Sequence, residues 1–418
     1  ITTKSQNPTQ QNQFTQELRY SQSGERLDFV AGLFGFHQTV RTQGTQEQGP
    51  AASRWLLNPS SALSLNPAVL NGLTAENDIR LDNTSLAVFG QASWKLTDRL
   101  TVQPGARVNY DSKKGLYSSV VTGTASDGTR QLVLFSGPYS SDPWIVAQRG
   151  VLSPQRFEPE FTAWNFSYDL TLSYSIAPDV LGYATYAHTF KSGGINLNGV
   201  PNDAAGNPLL AAGTVKPESL NHFELGIKTQ AWDRKLTLNL SAFRTDIRDF
   251  QALVSNGQLG VLRGYLANAA KARTQGFEWD LSLRPNARLN LYANGAYTDA
   301  TYRSFADAPC PPELSGGGTG TPVAAPGVPG NSPANCDISG QRLPGISKWS
   351  LSWGAEGNLP ARLLGQDGEV YLGLDGSYRS AFSSNPTPSA YTWVDGYALT
   401  NIRLGFRTPG GFNVFGWV

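Results

Sequence analysis

Methionine is absent from this chain of 418 residues, and cysteine and histidine are scarce, at two and three copies. No stretch of about 18 uninterrupted apolar residues occurs, which excludes a transmembrane helix. The same scan would place the chain in water, but alternating strands average to near neutrality, so the inference does not reach a membrane protein built from strands. Excess charge is missing too. The net charge is +1, so nothing electrostatic points to nucleic acid or to an acidic substrate. The histidines, His37, His188 and His222, show no metal-binding spacing, and no Ser-His-Asp arrangement is legible, so the sequence reads as a non-enzyme without cofactor or metal site. Gly316-Gly317-Gly318 has no strand-to-helix context that would cradle a phosphate. The chain opens on Ile1 among polar residues, with no charged segment followed by an apolar one. The expectation is therefore a fragment or a mature form.

What is present is glycine, at 44 copies, and aromatic side chains at 11%, a balance that favours an all-β chain. The most informative stretch is Lys216 to Phe250. On one arm Phe223, Leu225 and Ile227 alternate with Glu224, Gly226 and Lys228. On the other Leu236, Leu238, Leu240 and Ala242 alternate with Thr237, Asn239 and Ser241. A period of two puts apolar side chains on one face of each strand. The arms are long, the turn at Ala231–Arg234 is short, and a long polar loop comes before them, as a transmembrane barrel requires.

The pattern repeats as strand, short turn, strand, long loop. It predicts hairpins from Phe14–Tyr20 with Arg26–His37, Leu81–Leu96 with Leu100–Asp111, and Phe161–Ser175 with Leu181–Phe190. After the central hairpin come Val261–Leu283 with Leu289–Tyr302, Lys348–Asn358 with Glu369–Arg379 across Leu359–Gly368, and Tyr397–Arg407 with Phe412–Val418. The total is about fourteen antiparallel strands. Long loops are predicted at Thr39–Asn77, from Asp111 to about Phe157, and over residues 303–345. Short turns at one end and long loops at the other fit a periplasmic and an external rim. In Tyr168–Ile176, Tyr168, Leu170, Leu172, Tyr174 and Ile176 share a face, with tyrosines at its limits resembling an interfacial girdle.

Three blocks carry a family resemblance: G-Y-A-T-Y-A-H-T-F-K-S-G-G-I-N (Gly182–Asn196), K-P-E-S-L through D-F-Q (Lys216–Gln251), and N-A-A-K-A-R-T-Q-G-F-E-W-D (Asn268–Asp280). Their order and spacing resemble the barrel of TonB-dependent outer-membrane receptors. The resemblance implies a 22-stranded barrel, of which strand parity assigns this chain strands 8 to 21. The whole of 1–418 is then one barrel domain truncated at both ends, lacking the family's N-terminal plug and its coupling box. The resemblance further implies a Gram-negative outer-membrane receptor in contact with lipid and with its own plug. The inner-membrane motor would act through TonB on that plug to import a scarce small molecule such as a ferric siderophore. Two rivals stay open: a passive porin, and a secreted β-rich binding protein, which strands of ten or more residues disfavour.

Candidate residues follow from placement. Arg54, Trp55, Tyr139, Trp144 and Phe305 lie in the long loops, where aromatics beside arginine form either a recognition surface or loop packing. His222, Glu224 and Lys228 fall on the polar face, as plug or ligand contacts or as ordinary lumen wall. His188 has no decided facing, and His37 marks a strand end. Lys191-Ser192-Gly193-Gly194 reads as a structural bend. Cys310 and Cys336 flank one loop and suggest a local disulfide, restricting the unfolded chain by roughly 3 kcal/mol; free thiols are the alternative.

Overall fold

A computed structural model of the protein describes every residue except 1, 59–60, 204, 256–263, 307, 309–335 and 386–388. The period-two segments form one antiparallel meander whose wall strands we number β1 (Thr9–Gln22), β2 (Leu27–Gln48), β3 (Thr74–Lys95), β4 (Leu100–Thr124), β5 (Glu160–Ala177), β6 (Val180–Lys191) and β7 (Glu218–Ala231). They continue as β8 (Leu236–Ser255), β9 (Gly264–Asn286), β10 (Leu289–Ser304), β11 (Trp349–Leu363), β12 (Gln366–Arg379), β13 (Tyr397–Arg407) and β14 (Asn413–Trp417). Each pairs with its sequence neighbour. Short extensions at Thr3–Gln6, Arg130–Leu132 and Gln155–Phe157 bring the sheet to 17 strands. The seven hairpins expected from the sequence are all present in the expected order. The first residues of the predicted strand Val261–Leu283 lie outside the described residues.

The alternation faces the way a membrane wall demands. Along β5 the exposed side chains are Trp164, Phe166, Tyr168, Leu170, Leu172, Tyr174 and Ile176, while Asn165, Ser167, Asp169, Thr171 and Ser173 are half-buried. A soluble sheet would hide the first set. Here Trp164 is 73% exposed, and only lipid can cover such a face without cost.

The predicted boundaries were too tight at the loop end. The segment expected as loop from Thr39 is ladder: β2 and β3 pair continuously from Leu27↔Trp94 to Glu47↔Thr74. β4 likewise runs on to Thr124. Beyond the lipid both faces of a strand meet water or loop, so pairing continues while the apolar alternation that signals it disappears. The turn expected over Leu359–Gly368 is also shorter. Leu364 (φ 50°) and Gly365 (φ 78°) form a two-residue turn with both centres left-handed, which matches the twist of the flanking strands. Between β7 and β8 three consecutive non-glycine residues, Trp232, Asp233 and Arg234, have φ of 52–63°. Each such residue costs about 1–2 kcal/mol. Hydrogen bonding of Lys235 N–H to the Trp232 carbonyl at 3.1 Å, and Arg234 reaching Asp179 of the adjacent turn at 3.7 Å, offset part of that.

Protein-packed cores sit outside the apolar band. The loops after β2 and β4 fold together around two helices, α1 (Ala52–Leu56) and α2 (Pro143–Val151). Asp142 caps α2, accepting from Trp144 N–H (2.9 Å) and Ile145 N–H (3.2 Å), and Pro143 opens its first turn. Val69, Leu70, Leu73, Val121, Val133 and Ile145 are fully buried between the two loops. A second cluster joins Ala272, Tyr302, Phe305 and Ile338 above β9 and β10.

Candidate functional site

Two regions of the inner wall and one at its long-loop mouth carry polar chemistry. On the first, the ladder sets Lys228 opposite Asn239, Asn239 opposite Asp280, and Asp280 opposite Asn294. These residues, with Glu278 and Arg379, line a cavity of about 550 Å³. Just above it, His222 Nδ1 lies 2.9 Å from the Thr245 hydroxyl and Nε2 3.3 Å from Glu224. The Tyr183 hydroxyl donates to the other oxygen of Glu224, and Lys228 Nζ lies 5.5 Å from the Tyr183 ring. Tyr183 thus ties the three residues singled out on the polar face into one network.

The second region was not visible in the sequence. The Arg107 guanidinium stacks over Phe34 at 5.1 Å and Phe89 at 5.5 Å, and donates to Asn109 at 2.7 Å; Arg19 lies 6.0 Å from the same Phe89 ring. Register puts Arg19, Gly32, Phe89 and Arg107 in one inward row. A signal did exist: Phe29 to Phe36 is apolar on both faces, which breaks the alternation wherever an aromatic turns inward.

At the mouth, the three blocks that carry the family resemblance lock together. Buried Glu218 accepts from Lys191 Nζ at 3.0 Å and from the Gln251 N–H at 2.8 Å, and the Gln251 amide donates to the carbonyls of Ser192 and Lys216. Asn268 accepts from the Lys216 N–H at 2.7 Å and donates to the carbonyls of Lys216 and Asp249. Asn196 donates to the Ala212 and Leu266 carbonyls and accepts from the Leu266 N–H. Lys113 reaches the Ser192 hydroxyl at 3.1 Å and the Gly193 carbonyl. At Gly193 a Cβ would collide with the Phe161 ring and the Val215 carbonyl, so the bend demands glycine.

The loop candidates separate by exposure. Arg54 and Trp55 are exposed on α1, Trp55 at 76%. Tyr139 and Trp144 pack against the α2 cluster, and the Tyr139 hydroxyl donates to Asp127 at 3.1 Å. Phe305 is buried, edge-on to Tyr302 at 5.2 Å between ring centres. Asp142 of this loop layer sits where burial would raise its carboxyl, yet hydrogen bonds from Ser126, Ile145 and Trp144 hold it below the usual range. His188 resolves to the outer face, stacked on Tyr168 at 5.3 Å, and its Nδ1 lies 3.0 Å from Asn221 Oδ1. His37 is also outward, mid-strand rather than terminal, 3.0 Å from Thr84. Cys336 is buried; Cys310 and the Gly316–Gly318 string lie outside the described residues. Among the described residues no group of three or more His, Cys, Asp or Glu side chains could hold a metal ion.

Residues 2–418 match the family described as TonB dependent receptor-like, beta-barrel. A pesticin receptor of Yersinia enterocolitica is 26% identical over 280 residues, 66% of this chain and 32% of that protein. The wall superposes on the ferric yersiniabactin uptake receptor FyuA from Yersinia pestis with TM-score 0.67 at 17% identity, over 100% of this chain and 50% of that one. It also superposes on the copper transporter OprC with TM-score 0.58 at 12% identity, over 98% and 51%. The chain therefore spans about half or less of the length of these relatives.

Proposed function

The chain belongs to the TonB-dependent receptor family through its β-barrel, and on that premise we propose that it forms the wall of an outer-membrane receptor in a Gram-negative bacterium. In this reading the external loops capture a scarce nutrient, a ferric siderophore or similar iron complex. Import is powered by TonB acting on a plug domain of the full-length protein that sits in the lumen. The observation that carries the reading is the family match along the whole wall. It is supported by the interlocked mouth, an exposed apolar outer face and a polar inner face. Two similar proteins are named for pesticin and ferric yersiniabactin, and a third for copper. One wall thus accompanies different cargoes, and cargo choice belongs to the loops.

Arg54 and Trp55, exposed on α1, are the loop residues we assign to capture. His222, Glu224 and Lys228 are assigned to the plug-facing lumen wall. The segment 303–345, of which residues 307 and 309–335 lie outside the described residues, is assigned to an external loop joined by a Cys310–Cys336 disulfide. The test is uptake of iron-loaded chelates by iron-starved cells carrying or lacking the gene. Uptake that depends on both the gene and the proton gradient is expected. Gene-dependent uptake that survives collapse of the gradient would make the protein a passive porin, and unchanged uptake of every iron chelate would remove iron from the reading.

A further inference from the structure

The outer face of β8–β10 changes character at one height. Along β8 the outward side chains run Leu236, Leu238, Leu240, Ala242 and then Arg244, Asp246 and Arg248. Ten residues separate the turn residue Arg234 from Arg244. That is roughly 33 Å of strand and about 25 Å of height at a 40° tilt, the thickness of the lipid-facing band. Arg244 therefore sits where hydrocarbon gives way to headgroups. Its neighbours on β9 and β10 repeat the step. Phe277, Tyr297 and, on β11, Trp349 form an aromatic row, with 5.6 Å and 4.9 Å between successive ring centres. Above that row come Arg273, Lys271 and Arg303.

The ladder holds the cations side by side. Asp246 lies opposite Arg273 and takes ion pairs from Arg273 and from Arg244 (2.8 Å). A bulge between Lys271 and Ala272 leaves Arg303 as the extra residue beside them. Arg248, Lys271 and Arg303 are exposed and make no ion pair among the described residues. With Asp249 and Asp299 counted, five cations meet three carboxylates. The rim on β2–β4 has the opposite sign. Glu47, Glu76, Asp78 and Asp82 face out there against Arg41, Arg80 and Lys114, and Asp78 pairs with both arginines, at 3.5 and 2.6 Å. The basic patch is local, not a general property of the rim.

We propose that the β8–β10 patch binds the phosphate groups of phosphorylated lipids in the outer leaflet. An aromatic row at the interface with a cluster of unpaired cations directly above it complements an anionic headgroup whose chains lie against the apolar band. The proposal rests on reading the long-loop rim as the external one. Its test is native mass spectrometry of the full-length protein released from nanodiscs holding a doubly phosphorylated glycolipid or its dephosphorylated form. The wild type retains the phosphorylated lipid selectively. Each cation near a charged surface is worth about fivefold, so Arg248→Gln/Lys271→Gln/Arg303→Gln lowers retention on the order of 100-fold, and Arg41→Gln/Lys114→Gln on the opposite rim leaves it unchanged. Equal retention by the triple variant, equal loss in the control, or full displacement by inorganic phosphate overturns the patch. A protein that enters bilayers of both lipids without preference overturns the patch alone; one that enters neither overturns the membrane reading as well.

Discussion

The wall between Arg234 and Arg244 and the loop layer around α2 hide apolar side chains in opposite directions. In the wall, Leu240 and Phe277 point outward and are each 44% exposed, a face left for lipid to cover. In the loop layer, Leu70, Val121 and Ile145 point into one another and are closed to solvent, at 0–1%. The wall's stability is set by solvent match and by an unbroken backbone ladder. The loop layer depends on side-chain packing of the ordinary globular kind. The two regions should therefore respond to different mutations.

The largest contrast comes from Ile145→Ala, which removes buried volume from the loop cluster. It should cost about 2–5 kcal/mol locally, seen as faster amide exchange over residues 143–151 with the barrel's unfolding midpoint unchanged. A shift of the whole barrel would mean that the loop layer and wall fold as one unit. Next is Leu238→Arg on the lipid face, expected to cost about 2–4 kcal/mol of barrel stability, against far less for Thr237→Arg on the lumen face. Equal urea midpoints for the pair in lipid would reverse the facing of β8.

A smaller effect sharpens the contrast from the loop side. The buried Gln148 amide donates to the carbonyls of Val69 and Thr124, both at 2.8 Å. Gln148→Leu strands both acceptors and should loosen the two loops by about 1–3 kcal/mol, read as new protease cuts in residues 49–73 and 125–152. Unaltered proteolysis would show that water replaces the amide freely. The smallest belongs to Asp142→Ala, which removes the cap of α2 for about 0.5–2 kcal/mol. The carboxyl is held below its ordinary range, so its contribution is complete above that range and fades as pH falls through the lowered value. Exchange over α2 should thus become faster on acidification in the native protein and stay flat in the variant.

Legibility divided along the same line. The hairpin of β7 and β8 could be read because lipid on one side and water on the other impose alternation residue by residue. That parity also puts Lys228 and Asn239 on the polar face, while their pairing was set by where the turn closes, at Ala231↔Leu236. The upper half of β2, Thr39 to Gln48, could not be read as strand, because with both faces wet the ladder leaves no hydropathy trace. Phe305 carries the same composition signal as Trp55, yet one is buried and the other open. Exposure in a loop depends on which distant segment folds over it. The same holds for Arg107, whose partners Phe34 and Phe89 come from other strands, and for Glu218, which is held by Lys191 and Gln251.

The amino-acid sequence alone determined the wall: its strand order, its facing and its family. A two-sided solvent writes that information locally, at a spacing of two residues. Tertiary structure decided the loop cores, the mouth network and the opposite charges of the two rims. Those depend on contacts between segments tens of residues apart, which no local period records.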